Sequence, residues 1–359
     1  MYRKRVLKPA ITTFGKTLEE LGYSISEDSF LVDAQGKRYE FDLASKQRAY
    51  QEAHGRALYD ALLLKVKERL KSEYGLVEQT VPLGIDETDK KSPRATILLS
   101  SDVKECKRVL IIVQGISEAL GSWSRRLITN YSVEKGSMLD VVDRARKAGF
   151  GVVLLNPNAH YWEDGKAVIN YPIKGVPTVV PYLENPEQHV DYVFRHFVQE
   201  FASRELYFIA HKFGTHFLME TLAGQFDAFK DRVSAMAIVD GLQSIDACEN
   251  PDFKKWWSLN AAGFVPSEDG KGTVDYRPTL GCNCVLMGTE QPDMCVPEST
   301  DMIFKFFETR KTRGNVFEEY REKHAEYHED DPTTVLLTFE ASNDDEDDEA
   351  VQGAGQSGW

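Results

Sequence analysis

A mostly parallel, doubly wound α/β sheet with an N-terminal hairpin-plus-helix extension accounts best for this 359-residue chain. Short apolar runs alternate with helical patterns from about residue 95 to residue 310, as in a parallel sheet covered on both faces. The length suits one large α/β domain with additions, or about two domains. Apolar residues at 42% and charged residues at 28% can build a substantial core. Three zones follow: an extension over 1–94 that packs on the core, the core over 95–310, and a charged helix with a disordered acidic tail over 311–359.

In the first zone, Gly22-Tyr23-Ser24-Ile25 and Ser29-Phe30-Leu31-Val32 flank a short turn, and Gln35-Gly36-Lys37 leads into Tyr39-Glu40-Phe41. That alternation predicts a hairpin. From Lys46 to about Tyr74, Ala57, Leu58, Ala61, Leu62, Lys65, Val66 and Leu70 recur at helical spacing, a stripe that must pack on something. Pro82, Gly84, Asp86 and Pro93 mark a polar connector. The core opens with the run Val109 to Val113, which ends at Gln114-Gly115. A helical stretch through Met138 to Ala148 precedes a second run, Phe150 to Leu155, stopped by Asn156-Pro157-Asn158. Asn185 reads as the cap of a helix with Pro186 at its first position, carrying Val190, Val193, Phe194, Phe197, Val198 and Phe201 on one side. Leu206 to Ile209, a turn and a helix through Met219 come next, then Ala235 to Val239, Cys284 to Met287 and a helix around Met302 to Phe307. Beyond Thr312 the chain is too polar to fold alone, and Trp359 is either a partner anchor or part of a disordered end.

Charge and composition exclude several classes. A net charge of −14, to which the run Asp344 to Glu349 contributes, argues against a general electrostatic hold on nucleic acid or anionic lipid. No apolar stretch approaches the length of a membrane helix, and the basic Met1 to Lys8 has no apolar segment behind it. Five cysteines give no disulfide framework, and the odd count favours a reducing compartment. A soluble intracellular protein is expected. No Walker pattern or Gly-rich fingerprint is present, so no nucleotide or other cofactor is implied.

Ligands of such sheets bind beyond the carboxyl ends of the strands. One turn there is informative: Ile209-Ala210-His211-Lys212-Phe213-Gly214-Thr215 has the shape of a nucleophile elbow, as in a sheet of α/β-hydrolase type. The central residue is Lys212, where such an enzyme carries Ser, Cys or Asp. Lys212 is either a nucleophile of the Schiff-base kind or a turn that kept its shape after losing one. Asp240, after Ala237-Ile238-Val239, suits the triad acid, or else caps a helix or accepts a local hydrogen bond. The stretch around Pro292, where the triad histidine belongs, holds none, and Gln114-Gly115 stands where an oxyanion loop has His-Gly. Trp123, Arg125 and Arg126 follow the first core strand, where an arginine pair with an indole can hold an anion or a partner, or simply cap a helix and pair with acids. His211 and His216 flank the elbow. His324 and His328, one helical turn apart, can share a metal or lie on a solvated face, and Cys282 and Cys284 read as buried structural thiols.

Val109 to Gly115, Ser122-Trp123-Ser124-Arg125-Arg126-Leu127-Ile128 and Gly149 to Asn158 together resemble the Argonaute-binding "Arb-two" domain family. The likeness continues through His189 to Phe197, Tyr207 to Gly214, Ala237 to Asp240, Gly288-Thr289 and Ile303 to Phe307, with a similar lead-in over Leu21 to Leu83. The vertebrate branch of that family is described as a cotranscriptional regulator of splicing, and the domain also occurs fused to fungal histone deacetylases. The resemblance implies an α/β-hydrolase-like scaffold working through protein partners in small-RNA-directed silencing or RNA processing. Some relatives keep Ser at the elbow, His-Gly after the early strand and His after the last; this chain departs at all three, with Lys212, Gln114 and the loop around Pro292. The resulting expectation is a non-catalytic adaptor, in the nucleus and/or cytoplasm, that binds Argonaute or a chromatin-silencing complex, with at most local RNA contact and none with membrane. The alternatives are a divergent hydrolase or lyase using Lys212 with Asp240, and a small-ligand sensor.

Overall fold

The computed structural model describes residues 14–41, 47–163, 165–169, 178–203 and 205–311. The lead-in forms a two-stranded antiparallel hairpin of β1 (Tyr23–Ile25) and β2 (Leu31–Asp33), registered Tyr23 to Asp33. The turn at Gln35-Gly36 leads back to only one further bridge, Val32 to Arg38, so the Tyr39-Glu40-Phe41 segment adds no third strand. Helix α1 (Arg48–Ser72) buries Leu58, Ala61, Leu62, Val66 and Leu70, the expected stripe. Lys65 stays half-buried and pairs with Glu68 at 3.5 Å.

The chain then runs through β3 (Leu76–Val81), β4 (Ala95–Ser100), β5 (Arg108–Val113), α2 (Arg125–Asn130), α3 (Val133–Gly136), α4 (Leu139–Lys147) and β6 (Phe150–Leu154). A small three-stranded sheet follows, made of β7 (Tyr161–Glu163), β8 (Lys166–Val168) and β9 (Thr178–Val179). Next are α5 (Pro186–His196), β10 (Glu205–His211), α6 (Gly214–Gly224), α7 (Phe226–Phe229) and β11 (Val233–Val239). The last elements are α8 (Pro251–Asn260), β12 (Ala261–Val265), β13 (Val274–Arg277), β14 (Cys282–Leu286) and α9 (Cys295–Lys311).

The central sheet has nine strands in the order β13-β14-β12-β11-β10-β5-β6-β4-β3. Its six strands from β14 to β6 are parallel; β13 pairs antiparallel at one edge, and at the other β4 pairs antiparallel with both β6 and β3. This is a mostly parallel sheet of α/β-hydrolase type. Nearly every residue of β5, β6, β10, β11 and β12 is buried whichever way its side chain points, the signature of a sheet covered on both faces. α6 packs on β10 and β5, α4 on β6, and α8 and α9 on β11.

Two expectations need correction. The Asn185 cap forms, its side chain accepting from the Gln188 N–H at 2.8 Å, but α5 ends at His196. Phe197, Val198 and Phe201 lie beyond it, around a single tight 3₁₀ turn, and are buried all the same. Before residue 94 the chain is not only hairpin, helix and connector: β3 pairs with β4 along its whole length and forms an edge of the central sheet. Among the described residues, no helix is long and apolar enough to cross a membrane.

Candidate functional site

The sheet order brings the ends of β5, β10 and β11 side by side, with the loop between β14 and α9 facing them. β10 finishes at His211, and Lys212 turns the chain with φ of 50° while its N–H donates to the Val239 carbonyl at 3.0 Å. A left-handed backbone on a residue that bears a side chain is strained, and it persists because the surroundings hold it. Gly214 shows how tight the turn is. A Cβ there would lie 2.3 Å from the Val113 carbonyl oxygen and 2.7 Å from that of Gln114, so only glycine lets α6 begin so close to β5. Thr215 locks the turn, donating to the Lys212 carbonyl at 2.5 Å and accepting from the Leu242 N–H at 3.1 Å. Lys212 thus stands at the apex of a strand-to-helix elbow.

Its ammonium is engaged. Lys212 Nζ donates to Asp293 Oδ1 at 2.9 Å, and Arg126 Nε donates to Asp293 Oδ2, also at 2.9 Å. Asp293 sits beside Pro292 in the short turn between β14 and α9, the loop where a triad histidine belongs. Burial alone would raise its carboxyl; the bonds and charge of Lys212, with Arg126 and Ser124, outweigh burial and hold it below the usual carboxylate range. Asp240, with φ of 48° at the end of β11, is not the ion-pair partner of Lys212. Burial raises the Asp240 carboxyl, against the pull of the Lys212 charge. Asp240 is not a helix cap either; the short turn at Ile245–Ala247 begins several residues later. Burial, followed by the Asp240 charge, pushes the Cys295 thiol up to about 12, so this nearby sulfur stays a thiol near neutral pH.

No imidazole among the described residues bonds to Lys212, Asp240 or Asp293. His211 is fully buried, both ring nitrogens lack partners, and its ring meets Trp123 edge-on with centroids 5.8 Å apart. Burial first, then the Lys212 charge, push it down to about 3, so it is neutral near pH 7.

The loop after β5 is cross-braced. Gln114 is buried and donates through Nε2 to the Glu118 carbonyl at 2.9 Å. Asn158 Nδ2 donates to the carbonyls of Gly115 at 2.7 Å and Glu118 at 2.8 Å. Asn156 Nδ2 donates to the Thr96 carbonyl at 3.0 Å, and its N–H to His189 Nε2 at 3.2 Å. The Asn156-Pro157-Asn158 string therefore ties the loop to the sheet. Gly115 lets the loop approach the elbow: a Cβ on it would lie 3.1 Å from the His211 carbonyl oxygen and 3.2 Å from Lys212 Cβ.

The cluster expected at Trp123, Arg125 and Arg126 is divided. Trp123 is buried and presents no face to solvent. Arg126 is turned to Asp293, whereas Arg125 lies near the Tyr59 ring, 5.9 Å from its centroid. Ser124 caps α2, accepting from the Leu127 N–H at 3.4 Å. Two residues that sequence reasoning missed complete the site. Asp293 had a readable signal, an acid in the loop that faces the elbow. Glu118 had none: burial pushes its carboxyl up to about 7, with the Lys212 charge opposing.

Among the described residues, no group of three or more His, Cys, Asp or Glu is placed to hold a metal ion. His324 and His328 lie outside the described residues. Cys282 and Cys284 are buried on β14, the Cys284 thiol donating to the Cys282 carbonyl at 3.6 Å.

The family model of the Arb2 domain matches residues 14–271. The chain belongs to the Arb2 domain family. Within the Arb2 family, the cotranscriptional regulator ARB2A homolog of Gallus gallus is 25% identical over 337 residues, covering 82% of this chain and 80% of the relative. Homo sapiens cotranscriptional regulator ARB2A is 23% identical over 337 residues with the same shares. Among solved structures, the histone deacetylase Clr3 is similar over 77% of this chain and 47% of that chain, at 15% identity and a TM-score of 0.47. A thermostable esterase from Pseudomonas putida ECU1011 is similar over 77% of this chain and 92% of that chain, at 13% identity and a TM-score of 0.38.

Proposed function

We propose that this chain is a non-catalytic adaptor: a hydrolase-type scaffold acting through protein partners in cotranscriptional RNA processing or Argonaute-linked silencing, in the nucleus. One observation carries the non-catalytic part. In an acyl-transfer site the elbow holds the nucleophile and the loop after the last strand supplies its base. Here those two stations hold an ammonium and a carboxylate bonded to each other at 2.9 Å. An ion-paired ammonium has no free lone pair for attack, and a carboxylate below its usual range is a poor proton acceptor. A hydrolase or lyase using Lys212 with Asp240 lacks the contact that it needs. Relatives named as cotranscriptional regulators support the regulatory class. The net charge of −14 favours RNA contact that is local or made by the partner.

Two measurements test the reading. A panel of acyl esters should show no turnover that Lys212→Ala alters, and activity abolished by that change would overturn the non-catalytic assignment. Affinity purification from nuclear extract should recover an Argonaute or a chromatin-silencing or RNA-processing component. Recovery of none of these would overturn the adaptor assignment.

A further inference from the structure

A cavity of about 350 Å³ opens between the lead-in, α1 and α2, lined in part by Tyr39 and Phe41, by Gly55, and by Arg125, Arg126 and Thr129. We propose that this cavity binds a carboxylate borne on an apolar body. The proposal holds whether or not the adaptor reading does, because it uses neither the elbow nor a partner.

Three observations converge. The Arg125 guanidinium makes no ion pair or hydrogen bond among the described residues; Glu118 and Asp60 act on it only from beyond ion-pair distance. The Tyr39 hydroxyl is buried and also lacks a partner among the described residues. Both groups reach one point, for a Cβ on Gly55 would lie 3.0 Å from the Tyr39 hydroxyl oxygen and 3.6 Å from an Arg125 terminal nitrogen. The absent side chain of Gly55 is what leaves this space open.

A buried hydroxyl and a half-buried guanidinium without acceptors are both costly. A single carboxylate answers both, because its two oxygens match the planar fork of Arg125 and keep lone pairs for the tyrosine hydroxyl. The rings of Tyr39 and Phe41 offer carbon surface to the rest of the ligand. Charge selects the head group. Arg126 lines the same cavity but is bonded to Asp293, which leaves one uncommitted cation among the described lining residues. One cation suits a carboxylate better than a phosphate monoester, which carries close to two negative charges. The volume is at the lower end for small-molecule sites, enough for one aromatic ring and its acid.

The test titrates the full chain with phenylacetate, phenylacetamide and phenyl phosphate, and with a tripeptide ending in Phe as free acid and as amide. Phenylacetate or the free-acid peptide should bind, with the matching amide weaker by about tenfold or more. Whichever acid binds tighter tells a free small acid from a chain terminus, and either result supports the carboxylate site. Arg125→Gln should weaken binding by a similar factor with an unchanged circular dichroism spectrum, and Gly55→Ala should abolish it. Should Arg125→Gln fail to fold, the acid-against-amide comparison on the natural chain still decides. Equal binding of acid and amide, tighter binding of phenyl phosphate, no binding of either acid, or full affinity in a folded Arg125→Gln chain would each overturn the proposal.

Discussion

Arg125 and Arg126 are adjacent in sequence and open the same helix, yet their surroundings differ in kind. Arg126 reaches a carboxylate 167 residues away and helps Lys212 hold it, so the elbow side of α2 is closed by charge. The Arg125 guanidinium lines a cavity and donates to no acceptor among the described residues, beside a tyrosine hydroxyl in the same condition. On one side three charged groups satisfy each other; on the other, two donors wait for a group that the described residues do not supply. Buried polar groups without partners point to ligands more directly than does a strand-to-helix turn of elbow shape.

The sharpest way to break the closed side is at its tightest contact. Gly214→Ala would press a Cβ against two backbone carbonyls, at 2.3 Å and 2.7 Å, that cannot swing aside. Urea denaturation should show a loss of about 3 kcal/mol or more, or no folded protein. A change near zero would mean that α6 can move off β5 and that the elbow is not rigid.

Glu118 lies between the two sides, within reach of the charges of both Lys212 and Arg125. Its folded value of about 7 lies above the ordinary 4.5, so the folded chain holds this proton more tightly than the unfolded one. The stability contributed is therefore complete below the ordinary value and is lost as pH rises through about 7. Glu118→Gln should flatten that decline and gain up to about 3 kcal/mol at pH 8, read from melting curves at pH 5 and pH 8. An unchanged pH profile would mean that the carboxyl is not sealed between the sides.

The ion pair should contribute less. Lys212 and Asp293 keep 27% and 21% of their side-chain surface exposed, so Asp293→Ala should cost about 1–2 kcal/mol in urea denaturation. The double change Lys212→Met with Asp293→Leu should cost less than the sum of its parts, because neither charge is then stranded. Since the Asp293 carboxyl is held below its unfolded value, its contribution is present above the ordinary carboxylate range and is lost as pH falls through the folded value.

Much of the sheet is legible in the sequence because β5, β6, β10 and β11 are unbroken apolar runs, each followed by turn residues. β12 is not, since Ala261-Ala262-Gly263 carries little strand signature; Gly263 is there because a Cβ would meet Cys284 Sγ at 2.3 Å. β3 is obscured by the polar Glu78-Gln79-Thr80, as befits an edge strand. α8 opens on Asn250-Pro251, the same cap that marks α5, so its signal is present in the sequence. At the elbow, Lys212 and Gly214 share one turn and can be read from spacing. The partner Asp293 lies 81 residues further on, and only the folded sheet brings the two together. The meeting of Tyr39, Gly55 and Arg125 is beyond sequence reading, because it depends on how the lead-in and α1 lie against α2.

The pairing of β3 with β4 bears on how the chain tolerates shortening. β4 is mostly buried, and its outer edge is covered by a strand that comes from before the polar connector. A chain trimmed to begin at Ala95 would keep every catalytic-looking turn yet bare a row of unmet backbone donors and acceptors along an apolar ribbon. Such an edge recruits strands from other molecules, so the hazard of that cut is insolubility rather than a missing function.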